Sequence, residues 1–405
     1  MFHGSKEASV SLPLSHIKVV EITQGLAAPM TAMHLADQGA EVIKIEPHDG
    51  DSSRGGSPGL QDAHPNLSLR ILTYNRNKRA MVVDFTKPQG LEIIHHLVRK
   101  SDVLVINTRV GPRKRHGLTY EDLAAINPRL VYASITAYGD EGPDADLPGV
   151  DMNIQPRSGD LMARRSPGGS PPGQTSLWHF DMSTAMLALA AIMMALYERE
   201  FTGKGQRVEA NLLQSAMALE TLQLTRVNGQ TKGYPAKSEG LPSIYLCKDG
   251  RYIYTGVGGA RFEELCKILG LDALAEDPRF NSPDKRLQNE RALHALMANH
   301  LSTKTAAEWD AILKRGQRPG TVLQEIADLF DDPQVLANNM IIEFEQPGVG
   351  SVKALNVPFK MSDHLHDQRV RLPVPGLGQH TQEVLQELGY SLAKIEALKK
   401  QKVVA

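Results

Sequence analysis

Short apolar runs alternate with segments of helical period along the first third of the chain. "IKVVEIT" (17–23) has the β-branched texture of a strand, "APMTAMHLADQG" (28–39) has helical spacing, and "AEVIKIEP" (40–47) returns to strand. Strand, helix, strand is a βαβ unit, which requires parallel strands and a right-handed crossover. The alternation continues through "LEIIHHLVRK" (91–100), "SDVLVIN" (101–107), "YEDLAAIN" (120–127) and "RLVYASITAYG" (129–139). This predicts an α/β fold with a Rossmann-like, doubly wound parallel sheet.

Further on, "LALAAIMMALYERE" (187–200) reads as a buried helix, stopped by "FTGKGQ" and followed by strand-like "RVEANLL" (207–213). The texture changes at Gly229 with the linker-like "GQTKGYPAKSEGLPS", then a hairpin around Asp249-Gly250 and helical stretches such as "TAAEWDAILKRG" (305–316). It shifts again near Leu329. The pattern predicts a large Rossmann-like domain over 1–228, completed by 330–405, and a smaller α+β domain over 229–329.

A length of 405 residues suits two domains. The net charge of −1, with both signs interspersed, argues against a nucleic-acid groove or a membrane-surface patch. It leaves room for a small anion bound by a local cluster. Cys247 and Cys266 are too few for a disulfide framework and lie in no metal-ligand pattern, so no metal is expected. Buried thiols of a cytoplasmic protein are the reading. The start "MFHGSKEASVSLPLS" lacks a signal-peptide apolar core, and "AMLALAAIMMALY" falls short of the roughly 20 apolar residues of a membrane span.

The first βαβ unit invites a nicotinamide dehydrogenase. Glu46 stands about 20 residues after the first turn, where such a unit carries its ribose acid. The turn itself, "TQGLAAPMTAM", contains only Gly25, so the G-x-G-x-x-G needed for close approach to a pyrophosphate is missing. Pro29 suits the first position of the following helix. A second candidate is Asp181 in "LWHFDMSTAM" (177–186), at the head of the long apolar helix. A helix N-cap is one reading, since Asp is favoured there and the dipole favours an anion. A nucleophile is the other: a carboxylate can attack a carbonyl and form a mixed anhydride. Local sequence leaves both open.

Several longer motifs, in order, carry a resemblance. They are "GAEVIKIEP" with "GDSSR" behind it, "NRNKRAMVVDF", "LTYEDLAAINPRLVYASITAYGDEGP", "GVDMNIQPRSGDLM", "FDMSTAMLALAAIMMALYEREFTGKGQ", "DPRF" and "LPVPGLGQHTQEVLQELGY". From about Ile17 to the C-terminus the chain resembles the class III CoA-transferases, a family that includes carnitine and formyl-CoA transferases and the α-methylacyl-CoA racemases. The resemblance implies that Asp181 is the nucleophile, working through an aspartyl anhydride and an aspartyl-CoA thioester. Ala185 stands where the family usually has Gly. The racemases carry a His before an Asp in a G-H-D motif. Here the motif is Gly149-Val150-Asp151, so one acid/base group needed for proton exchange is absent, which favours transferase over racemase.

The resemblance also implies the CoA channel. Leu26 and Ala27 would line it through their backbone, Asp84 would lie on the adenosine side, and Asn107, Thr108, Arg109 and Arg115 would follow the next strand. Thr108 replaces the family's aromatic. Asp151 would touch CoA or substrate. Arg113, Lys114 and Arg115 form a local positive cluster, and Asn75–Arg79 a second, for phosphate or for contacts within the chain. Arg157, Arg164 and Arg165 are candidates for a second carboxylate of a dicarboxylic substrate. Gly256, Gly258 and Gly259 lie in a hairpin-to-helix context that does not match the glycine lid of formyl-CoA transferase. Trp178 and His179 flank Asp181 where acceptor specificity would begin. The expected partners are acyl-CoA and a small carboxylic acid as substrates, with no tightly bound cofactor, in an interlocked homodimer.

Overall fold

Six short strands, most of them rich in aliphatic and β-branched residues, pair into one parallel sheet: β1 Lys18–Ile22, β2 Glu41–Glu46, β3 Lys78–Val82, β4 Val103–Ile106, β5 Val131–Thr136 and β6 Arg207–Asn211. Their order, β3-β2-β1-β4-β5-β6, is that of a doubly wound Rossmann-like sheet. The structure is a computed structural model that describes residues 12–55, 60, 66–164, 173–229, 243–256, 261–318, 320–364 and 370–405. Arg165, Gly258, Gly259 and the expected linker over 230–242 lie outside the described residues.

Both faces of the sheet are covered, which is why its strands read as near-continuous apolar runs. Successive side chains point to opposite faces. Val19, Val103 and Val105 join Ala28 and Ala32 and the later Ala188, Ile192 and Ala195 in one core. Val20, Leu104 and Ile106 join Ile93, Ile94, Ile395 and Leu398 in the other. The helices that supply these residues follow the strands: α1 Ala27–Asp37, α2 Leu69–Tyr74, α3 Pro88–Arg99, α4 Val110–Arg115, α5 Tyr120–Ala124, α6 Asp151–Ser158, α7 Asp160–Arg164, α8 His179–Thr202 and α9 Leu212–Leu219. The C-terminal helices Thr381–Glu387 and Leu392–Lys400 return to the sheet, and Val404 bridges Val83.

One compact unit therefore combines both chain ends, Met1–Ala236 and Asn339–Ala405, and Lys237–Asn338 forms the other. The turns Ile326–Phe330 and Pro333–Ala337 pack on each other, so the smaller unit extends past the expected Leu329. Its core gathers Phe262, Leu265, Met297 and Trp309 beside an antiparallel sheet of three short strands. Cys247 and Cys266 are buried and free.

Helix α8 runs for 24 residues, longer than the apolar run alone implied, and by length and composition it could cross a bilayer. Its Ala188, Ile192 and Ala195 instead pack on the sheet and α1. The opposite stripe is open: Met194, Tyr197 and Phe201 are 70%, 70% and 73% exposed.

Candidate active site

A cavity of about 820 Å³ opens at the carboxyl ends of β1, β4 and β5. The strand order reverses between β1 and β4, and open α/β sheets bind ligands at that switch. Leu26 and Ala27 line it from the first turn, Asn107, Thr108 and Arg109 from the end of β4, and Val150, Asp151, Trp178 and Asp181 from the α6 and α8 starts.

Asp181 is the third residue of α8, not its cap. The cap site is Trp178, held in the left-handed region at φ 45°, and it offers no side-chain cap. Asp151 supplies the missing acceptor from α6. Its Oδ2 accepts the Phe180 and Asp181 N–H groups at 2.8 and 3.2 Å, and its Oδ1 accepts from Gln155 Nε2 at 2.7 Å. Asp151 is fully buried. Capping by another helix frees the Asp181 carboxylate to face the cavity. Burial and then the neighbouring Asp151 charge push the Asp181 carboxyl up to about 7, against the Ala27 N–H, which favours the carboxylate. Each acid thus serves the start of another helix: Asp151 of α6 at the start of α8, and Asp181 of α8 at the start of α1.

The turn that presents Ala27 rests on buried charges. Gly25, at φ 83°, donates its N–H to Asp51 Oδ1 at 3.1 Å. Asp51 Oδ2 meets Lys44 Nζ at 2.8 Å, and Lys44 also meets Glu21 Oε1 at 2.9 Å. Lys78 Nζ bonds Glu21 Oε2, the Pro29 carbonyl and Asn75 Oδ1 at 2.8, 2.8 and 2.9 Å. Lys44, Glu21 and Lys78 are fully buried. Burial and the neighbouring Lys44 bring the Lys78 ammonium down to about 8, although Glu21 opposes this. Gly149 needs to be glycine for a different reason: a Cβ there would sit 2.6 Å from the Ala137 Cβ, in the approach that brings α6 to the sheet.

Three comparisons bear on this site. The model of "CoA-transferase family III" matches residues 14–381. The chain belongs to CoA-transferase family III. An (R)-2-hydroxy-4-methylpentanoate CoA-transferase of Clostridioides difficile is 31% identical over 96% of this chain and 99% of its own. A succinyl-CoA:glutarate CoA-transferase of Mus musculus is 33% identical over 95% of this chain and 89% of its own. A CAIB/BAIF family protein from Brucella suis superposes with a TM-score of 0.81 at 31% identity, covering 93% of this chain and 100% of that one.

Within this family III enzyme, the cavity brings Leu26, Ala27, Asn107, Thr108, Arg109, Asp151 and Asp181 together. Asn107 is also a tie: it accepts the Gln24 N–H and donates to the Gln24 carbonyl, locking the β1 and β4 turns together. Asp84 is not among the lining residues. Its carboxylate accepts from the Thr86 N–H and hydroxyl and pairs with Lys87, while its neighbour Phe85 lines the cavity. Arg115 ends α4 and is not among the lining residues. The positive cluster is also not a unit, since Arg113 is buried against Asp140, Ser134 and Tyr132.

The "NRNKR" segment makes contacts within the chain. Arg76 and Asn77 bind Asp37, Lys78 binds Glu21, and Arg79 binds Glu41, Glu383 and Glu387. Glu46 is bidentate to Arg54 at 2.7 Å through both oxygens, which occupies the acid a dinucleotide's ribose would need. Pro29 is third in α1, still inside the first turn, where an N–H has no partner to lose. Arg157 pairs with Asp144 and Arg164 with Asp160, and neither lines the cavity. His179 packs its ring on Phe180. Sequence reading missed Arg70 and Tyr74 of α2, both lining residues. Their signal lay in the run just before "NRNKR", where an Arg and a Tyr stand one helical turn apart.

Proposed function

We propose that this enzyme moves CoA between an acyl-CoA and a small carboxylic acid, with Asp181 as the covalent nucleophile. The observation that carries the reading is a carboxylate freed from capping and aimed into the cavity at the start of α1. The Asp181 oxygen attacks the thioester carbonyl, forming an anhydride and releasing CoA thiolate. The thiolate then attacks the aspartyl carbonyl, giving an aspartyl-CoA thioester and the free donor acid. The acceptor carboxylate attacks that thioester, re-forming an anhydride and thiolate. Thiolate attack on the acceptor's acyl carbon completes the product and returns Asp181 as carboxylate.

Activation comes from burial. A carboxylate raised to about 7 is a stronger base and nucleophile than one in water. The N–H of Ala27, the first residue of α1, bonds the Asp181 carboxylate and favours its charged form. Val150, whose apolar side chain lines the cavity, supports transfer over racemisation.

A homodimer is part of the proposal. The open stripe of α8, with Met194, Tyr197 and Phe201 exposed on one helix, is an apolar face of the kind that a partner chain covers. Two free cysteines fit a reducing, cytoplasmic setting. The test is a mass-spectrometric screen of acyl-CoA donors against free acids, with Asp181→Ala alongside. Transfer by the wild type, abolished in the variant, is the expected result. Turnover that survives in Asp181→Ala contradicts the covalent step.

A further inference from the structure

The cavity contains two acids and only two cations among its described lining residues, Arg70 and Arg109. The cations occupy different places. Arg109 is the N-cap of α4, beside Asn107 and Thr108, and donates to the Asp146 carbonyl at 3.3 Å. Arg70 is in α2 and donates one N–H to the Gly55 carbonyl at 3.0 Å. Neither has a carboxylate partner among the described residues, whereas Arg157 and Arg164 are paired. Arg70 is exposed and so open to a ligand.

Its position relative to the nucleophile follows from Tyr74. Arg70 and Tyr74 are four residues apart on α2 and share a face. Tyr74 is buried, and it packs with Met30, Met33 and Ala185, the last on the α8 turn just after Asp181. The Tyr74 hydroxyl lies within electrostatic reach of both Asp181 and Arg70: burial and Asp181 raise its pKa, and Arg70 opposes them. Arg70 thus stands roughly one helical turn, ~6 Å along α2, from the residue that borders the nucleophile.

We propose that Arg70 holds the distal carboxylate of a short aliphatic dicarboxylate whose other carboxylate reacts at Asp181. The inference rests on the transferase reading above. A guanidinium presents a planar fork that matches a carboxylate with two parallel hydrogen bonds. A cation placed on the reacting carboxylate would blunt its attack, so the distal group is the one to hold. Between the two ends, Leu26 and Tyr74 offer an apolar wall to the methylene chain.

The test uses the full-length enzyme with succinyl-CoA as donor. Transfer to glutarate is compared with transfer to valerate, of equal chain length without the second carboxylate, and to 4-aminobutyrate, which ends in a cation. In the wild type, kcat/KM favours glutarate. Arg70→Gln lowers the glutarate-to-valerate ratio about 10- to 100-fold, the range of a charge-assisted hydrogen bond. Arg70→Lys recovers part of it, and Arg70→Glu shifts preference towards 4-aminobutyrate.

A ratio unchanged in Arg70→Gln overturns the assignment. So does a variant in which only the KM for succinyl-CoA rises. Absence of transfer to any acid also overturns it, and the Asp181 adduct separates the two failures. An adduct formed from succinyl-CoA leaves the nucleophile standing and removes Arg70 alone; no adduct removes both.

Discussion

At the scale of residues, Asp151 and Asp181 divide between them the two tasks that the sequence offered to Asp181: Asp151 caps α8, and Asp181 faces the cavity. Local sequence offered a cap or a nucleophile. The cap is Asp151, at the start of α6, because its carboxylate reaches the α8 N–H groups that Trp178 cannot serve. No local pattern could reveal this, since the two residues meet only after α6 and α8 pack. The same contact raises the Asp181 pKa to about 7 through burial and like charge. Attack requires the carboxylate, so kcat/KM for the acyl-CoA falls about tenfold per pH unit below that value and levels off above it. Asp151→Asn keeps an oxygen acceptor for the helix but removes the charge. Its acid limb moves to lower pH, while Asp151→Ala leaves two N–H groups without a partner and destabilises the fold by about 1–3 kcal/mol. A pH–rate profile of Asp151→Asn that overlays the wild type contradicts the coupling.

At the scale of elements, the strands and their crossovers were legible because β1 to β5 are buried on both faces and a helix such as α3 on one. The motifs that marked the family were legible as patterns but not as roles. "GAEVIKIEP", "GDSSR" and "NRNKR" supply Lys44, Glu46, Asp51, Arg54, Arg76 and Lys78, and these pair with one another or with Glu21 and Asp37 beneath the first turn. Polar residues inside an apolar sheet have no periodicity to announce their partners. Their work is to fix the Gly25–Ala27 turn against β2 through Asp51 and Lys44. Lys44→Met leaves Glu21 and Asp51 buried with one cation fewer and costs about 3–5 kcal/mol, read by urea denaturation. A loss below about 1 kcal/mol would mean that water or rearrangement satisfies those acids, and the turn would not depend on them.

At the scale of the whole molecule, one unit is built from both chain ends, and its longest helix is packed along one stripe and open along the other. The amphipathic signal of α8 was weak in sequence because both stripes are apolar, and only packing tells which one the monomer covers. A second copy covering the open stripe predicts a dimer by analytical ultracentrifugation at micromolar concentration, with a midpoint of thermal unfolding that rises with protein concentration. Tyr197→Glu with Phe201→Glu shifts the mass towards monomer; a wild type already monomeric at that concentration contradicts this. The sheet, the cavity at its switch point and the two helix starts converge on one carboxylate, and its chemistry is open to direct observation. Turnover with an acceptor labelled with heavy oxygen in its carboxylate tests it most directly, because each cycle leaves one acceptor oxygen on the nucleophile. The account predicts that a peptide containing Asp181 gains the label in step with product formation. Product formed while Asp181 stays unlabelled would contradict it.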